Sequence, residues 1–158
     1  MEDAFGATAV GVASYAAATV AFLALTILLA VSWRGRAQGV RLIGASAMTA
    51  LWAALLTLQA WRDGFPAIVV YTLEVLRGGA WIFALLALAH GVLPRYLAIA
   101  AHTVWVVLAI VGWVFAAHAG RLLAPAGIAL ALAVLVLIEQ IYRNANASGR
   151  EDFKFLAI

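Results

Sequence analysis

The chain has 158 residues, 67% of them hydrophobic and only 11% charged, whereas a soluble domain carries about 25% charged residues, so too few polar groups exist to cover a water-facing exterior. A mean hydropathy of +1.07, with several apolar runs near the roughly 20 residues that cross a bilayer core, marks an integral membrane protein with no sizeable soluble domain. The formal charge is +3, but the basic residues sit at the ends of the apolar runs, a topology signal that argues against nucleic acid as a partner.

The sequence holds no cysteine, which excludes disulfides, thiolate metal sites and cysteine nucleophiles. The acidic opening Met1-Glu2-Asp3 lacks the basic region of a signal peptide, so the first apolar run is expected to stay as a membrane helix. That run extends from about Ala7 to Trp33, and its hydroxyls Ser14, Thr19 and Thr26 can bond back to their own helix. A basic turn around Trp33-Arg34-Gly35-Arg36 ends it.

The second span runs from about Leu42 to Trp61, where the tryptophan is an interfacial anchor, and Arg62-Asp63-Gly64 forms the next turn. The third is ambiguous. Its apolar stretch runs from Pro66 to Leu93 and contains Glu74 and Arg77. Either the helix begins at Pro66 and carries both charges deep, or the bilayer begins near Tyr71 and both lie in its outer third. The second placement is favoured, because Tyr71 to Leu93 already spans with tilt.

The turn His90-Gly91-Val92-Leu93-Pro94-Arg95-Tyr96 leads to a fourth span, about Leu97 to Ala119. Gly112, Ala116 and Gly120 recur there every fourth residue, a small-residue face suited to close helix approach. The fifth span runs from about Leu122 to Ile141, with Pro125 in its first turn. Residues 1–144 thus read as an all-α, polytopic bundle of about five spans. Residues 145–158 read as a short tail whose Phe153-Lys154-Phe155-Leu156 opens a further apolar run.

Arg34, Arg36, Arg41, Arg95, Arg143, Arg150 and Lys154 fall on one side of such a bundle, and Arg62 and Arg121 on the other. The positive-inside bias places the first group, and the C-terminal tail, in the cytoplasm, with the N-terminus outside.

Few residues carry chemistry. Glu74 and Arg77 are three apart and share a helix face, so pairing lowers the cost of each within a span. They read either as a ligand or proton site or, more ordinarily, as an ion pair near the interface. His90 and His102 could face one another at similar depth as haem ligands, but no dense ligand spacing supports this, and polar helix contacts are the favoured reading. Trp52, Trp81, Trp105 and Trp113 lie within spans, as packing residues or as the lining of an apolar pocket. Glu139 and Arg143 are four apart in the order that favours a helical ion pair, with Gln140 and Tyr142 between them. These four form either a well-made helix exit or a coupling element to something on the cytoplasmic side. No phosphate loop, nucleophile motif or paired catalytic carboxylates occur, so the 158 residues contain no catalytic set.

The segment Glu139-Gln140-Ile141-Tyr142-Arg143-Asn144, followed by Phe153-Lys154-Phe155-Leu156, resembles the membrane region of PEP-CTERM-system sensor histidine kinases of the PrsK type. The Trp33-Arg34-Gly35-Arg36 turn and Glu74-x-x-Arg77 followed by Trp81 are similar too. The resemblance implies a sensory or anchoring domain of a two-component kinase, multi-pass in the inner membrane of a Gram-negative bacterium. The kinase core of that family is absent from these residues, so its ATP-dependent activity is not assigned to them. The alternative is a small accessory subunit that packs against a larger membrane complex or a second copy of itself. A small transporter using Glu74 and Arg77 would need paired repeats and broken helices, and neither is present.

Overall fold

The computed structural model describes the backbone of residues 2–33, 35, 37–62, 64–89 and 93–155, with side chains for 9–33, 35, 39–62, 64–89 and 93–143. Among them the chain is all-helical: α1 (Glu2–Val31), α2 (Ala37–Arg62), α3 (Ala67–Leu88), α4 (Arg95–Val114), a 3₁₀ turn at Ala116–His118, and α5 (Ala119–Phe155). Five segments are long and apolar enough to cross a membrane.

Local chemistry accounts for most boundaries. Gly35, at φ +80, supplies the left-handed residue that turns α1 into α2. Pro66 and Pro94 stand one residue before α3 and α4 with extended ψ values of 140° and 136°. Proline fits there because a residue ahead of a helix owes it no N–H. Within the spans Thr19, Thr26, Thr49, Thr57, Thr72 and Thr103 each donate to the carbonyl four residues earlier, at 2.7–2.9 Å. Ser14 does the same to Val10. The hydroxyls thus cross the apolar layer already bonded.

α3 is the hub. It packs against α2, α4 and α5, while α1 packs on α2. The contacts give each pair its direction. Thr49 meets Trp81 and Trp52 meets Arg77, so α2 and α3 are antiparallel. Tyr71 meets Gly112 and Gly79 meets Trp105, so α3 and α4 are antiparallel as well. Gly120 faces Ala67, Gly127 faces Glu74 and Leu130 faces Gly78, so α5 runs parallel to α3.

Lipid tails are as apolar as leucine, so shape and interhelical hydrogen bonds hold such helices together. Three glycines provide the shape. A Cβ on Gly112 would lie 1.8 Å from the Tyr71 ring, one on Gly79 2.3 Å from the Trp105 indole, and one on Gly78 2.7 Å from Leu130. Each large side chain thus seats in a notch. Two of them also bond across it: the Tyr71 hydroxyl donates to the Leu108 carbonyl at 2.7 Å, and the Trp105 indole N–H to the Val75 carbonyl at 3.0 Å. Interhelical bonds of this kind contribute about 0.6–2 kcal/mol each.

The structure corrects four expectations. α3 runs from Ala67, directly after Pro66, to Leu88, and so ends short of the expected Leu93. α4 ends at Val114, and Phe115 (φ −108, ψ 40) breaks the helical path to let the chain reverse through the 3₁₀ turn. Gly112, Ala116 and Gly120 therefore do not share one helix face: Gly112 is buried under Tyr71, while Ala116 and Gly120 lie beyond the break and are exposed. Pro125 is the seventh residue of α5, not part of its first turn, and its ring offers no N–H to the Arg121 carbonyl. Finally, α5 continues through the polar stretch after Ile141 as helix to Phe155.

Gly112→Ala should destabilise the bundle by about 1–3 kcal/mol, because Tyr71 is fully buried and cannot withdraw. Gly44→Ala, where a Cβ meets nothing within 4 Å, should be neutral or slightly stabilising. Thermal unfolding of the two variants in detergent, followed by circular dichroism, separates these outcomes.

Candidate functional site

α3 has 22 residues, or about 33 Å of helix at 1.5 Å per residue, close to the roughly 30 Å hydrocarbon core. Arg77 is its eleventh residue and Glu74 its eighth. Both charges therefore belong to the middle of the helix. With α3 itself taken as the span, neither charge lies in its outer third. Depth changes the energetics: an arginine or aspartate at the centre of a membrane helix costs about 2.5–3.5 kcal/mol on insertion scales.

The protein answers that cost from three helices. The Arg77 guanidinium donates to a Glu74 carboxylate oxygen, forming the ion pair. One of its faces lies over the Trp52 ring of α2, 4.2 Å from the centroid, a cation–π contact that strengthens when water is absent. Glu74 is 6% exposed, and its other neighbour is Gly127 of α5, where a Cβ would stand 3.5 Å from the carboxylate oxygen. Trp52 in turn meets Tyr15 of α1 edge-on at 6.0 Å. One turn along α3 from Arg77, the Trp81 indole donates to the Thr49 hydroxyl of α2 at 2.9 Å. Ser46 of α2 is fully buried as well. A polar layer thus runs through the middle of the bundle, with the Arg77–Glu74 pair at its centre.

The layer is not saturated. Arg77 Nε, the Trp52 indole nitrogen and the Ser46 hydroxyl are buried without a hydrogen-bond partner. On the side facing α5, Arg77 borders a groove of about 390 Å³, lined also by Gly78, Trp81, Leu130, Ala131, Val134, Leu135 and Ile138. Leu135 and Ile138 are exposed, so the groove opens to the bilayer.

The other sequence-derived residues are not brought to this site. Glu139 and Arg143 form the expected helical pair at 3.1 Å, more than half exposed on both sides, with Tyr142 69% exposed beside them and Gln140 half-buried. His90 of the haem reading lies outside the described residues. His102 is half-buried on α4, its Nδ1 2.7 Å from the Ala98 carbonyl and its ring edge-on to Phe83 at 5.0 Å. Of the tryptophans within spans, Trp52 and Trp81 belong to the polar layer, Trp105 fills the Gly79 notch, and Trp113 points outward at 66% exposure. The sequence reading missed Gly78 and Gly79. Their adjacency was the available signal, since neighbouring helical positions face different partners.

No family model, curated protein or solved structure matches the chain.

Glu74→Gln should lower stability by about 3 kcal/mol, since removing one partner of a buried pair strands the other charge. Glu139→Gln, in an exposed i,i+4 pair, should cost no more than about 0.5 kcal/mol. Chemical unfolding of both variants in mixed micelles reads the difference.

Proposed function

We propose that the chain is a membrane-embedded sensory domain in which α5 carries the state of the polar layer out of the membrane. The observation that supports this is one continuous helix. α5 packs Gly127 against Glu74 and then runs unbroken to Phe155. Its 37 residues make about 55 Å of helix, well beyond the roughly 30 Å core. A change at the Arg77–Glu74 pair would shift or rotate a rod whose far end stands in water. The resemblance of the α5 exit to that of PrsK-type sensor kinases fits this reading, with Glu139, Gln140, Tyr142 and Arg143 fixing the depth of the rod at the interface. The positive-inside bias supports a cytoplasmic far end and an inner-membrane location.

A second reading has its own observation. The α1 span has no residue buried within the chain, a face that an accessory subunit would lay against a larger complex or another copy. Stoichiometric co-purification with a large membrane complex from native membranes would favour it.

The sensory reading is tested by joining α5 in helical register at Phe155 to a dimeric histidine-kinase core. Replacing Arg77 by Lys should change autophosphorylation several-fold in membranes where the chimaera is folded. Unaltered kinase output would overturn the reading. Its topology is checked separately. The sequence has no cysteine, so Ser32→Cys and Gly64→Cys each introduce a single thiol into an exposed turn. A membrane-impermeant maleimide should label Gly64→Cys in intact cells and Ser32→Cys only after lysis.

A further inference from the structure

We propose that the groove between α3 and α5 binds a neutral, bilayer-dissolved carbonyl compound carrying a flat ring, of the prenylated quinone class, with Arg77 as its hydrogen-bond donor. The inference deepens the sensory reading by naming the chemistry sensed, and it rests on that reading only for its consequence, not for binding itself.

Four observations carry it. The groove, about 390 Å³, falls in the range of roughly 300–1,000 Å³ typical of small-molecule sites. It is apolar apart from Arg77 and the Trp81 indole, and its α5 wall is exposed, so a ligand would arrive sideways from the lipid and not from water. Guanidinium has five N–H donors; Arg77 gives one to Glu74, its Nε has no partner, and its side chain stays 28% exposed. Nε itself is enclosed, so an acceptor in the groove would meet the exposed part of the guanidinium, which borders it. Charge then selects the acceptor. Arg77 and Glu74 together are neutral, so a carboxylate or phosphate would leave a net negative charge at mid-span, and that is costly. A carbonyl oxygen accepts from Arg77 without that charge. Trp81 adds a flat aromatic surface in the same groove, suited to stacking a conjugated ring.

The test uses the full chain in phosphatidylcholine nanodiscs, titrated calorimetrically with a benzoquinone bearing one isoprene unit, with empty nanodiscs giving the partition background. Binding should saturate at one per chain. Ala131→Phe projects a ring from the exposed α5 wall into the groove and should weaken binding by about tenfold or more. Glu139→Gln, outside the groove, should leave it unchanged. Equal uptake by wild type, Ala131→Phe and empty nanodiscs would mean that a lipid acyl chain alone fills the groove, and would overturn the proposal. Saturable binding of palmitate in place of the quinone would overturn the choice of a neutral acceptor. Quinone binding with an unresponsive chimaeric kinase leaves this site standing and removes the sensory reading. A kinase that responds to Arg77→Lys in a chain that binds no quinone does the reverse.

Discussion

A guanidinium in hydrocarbon must find its counter-charge and its hydrogen-bond acceptors inside the protein, because no water is present to supply them. Arg77 stands at the midpoint of α3, and its surroundings are organised by that need. Glu74 neutralises it from one turn earlier on the same helix. Trp52 of α2 covers its flat face. Gly127 of α5 lies against the carboxylate on its other side. The pair is thus held between three helices, and any movement of α2 or α5 relative to α3 alters its environment.

The packing around α3 follows the same logic of close approach. Gly78 and Gly79 are adjacent, and they open the helix towards two different neighbours, Leu130 of α5 and Trp105 of α4. Tyr71 repays the geometry in the other direction by seating on Gly112 and bonding the Leu108 carbonyl. α1 packs chiefly on α2, with Tyr15 edge-on to Trp52 as its link to the polar layer. The result is a bundle centred on α3, which α2 joins through Thr49–Trp81 and Trp52–Arg77.

Much of this was legible in the sequence, for identifiable reasons. The number of spans follows from apolar run length against bilayer thickness, and the Ser and Thr back-bonds follow from isolated hydroxyls in apolar helices. The spacing of Glu74 and Arg77 announced their pair, as did that of Glu139 and Arg143. Length alone favours a third span from Tyr71 to Leu93, whereas α3 runs from Ala67 to Leu88 and carries both charges near its middle. The Gly112, Ala116, Gly120 stripe failed because periodicity assumes one helix, and Phe115 carries no glycine or proline signal for the break. The change to polar residues after Ile141 signalled a change of solvent, not the end of the helix, so the length of α5 was not visible. The partners of Gly78 and Gly79, and the groove beside Arg77, depend on which helices meet, and no single helix encodes that.

Arg77 and Glu74 act as one unit at the middle of α3. A double-mutant cycle of Glu74→Gln, Arg77→Met and the two combined, read by reversible unfolding of the full chain, measures their coupling most directly. A buried, mutually dependent pair predicts about 2–3 kcal/mol, with the double variant more stable than Glu74→Gln alone. A coupling below about 0.5 kcal/mol, the size found for exposed pairs, would contradict the central place given to this interaction.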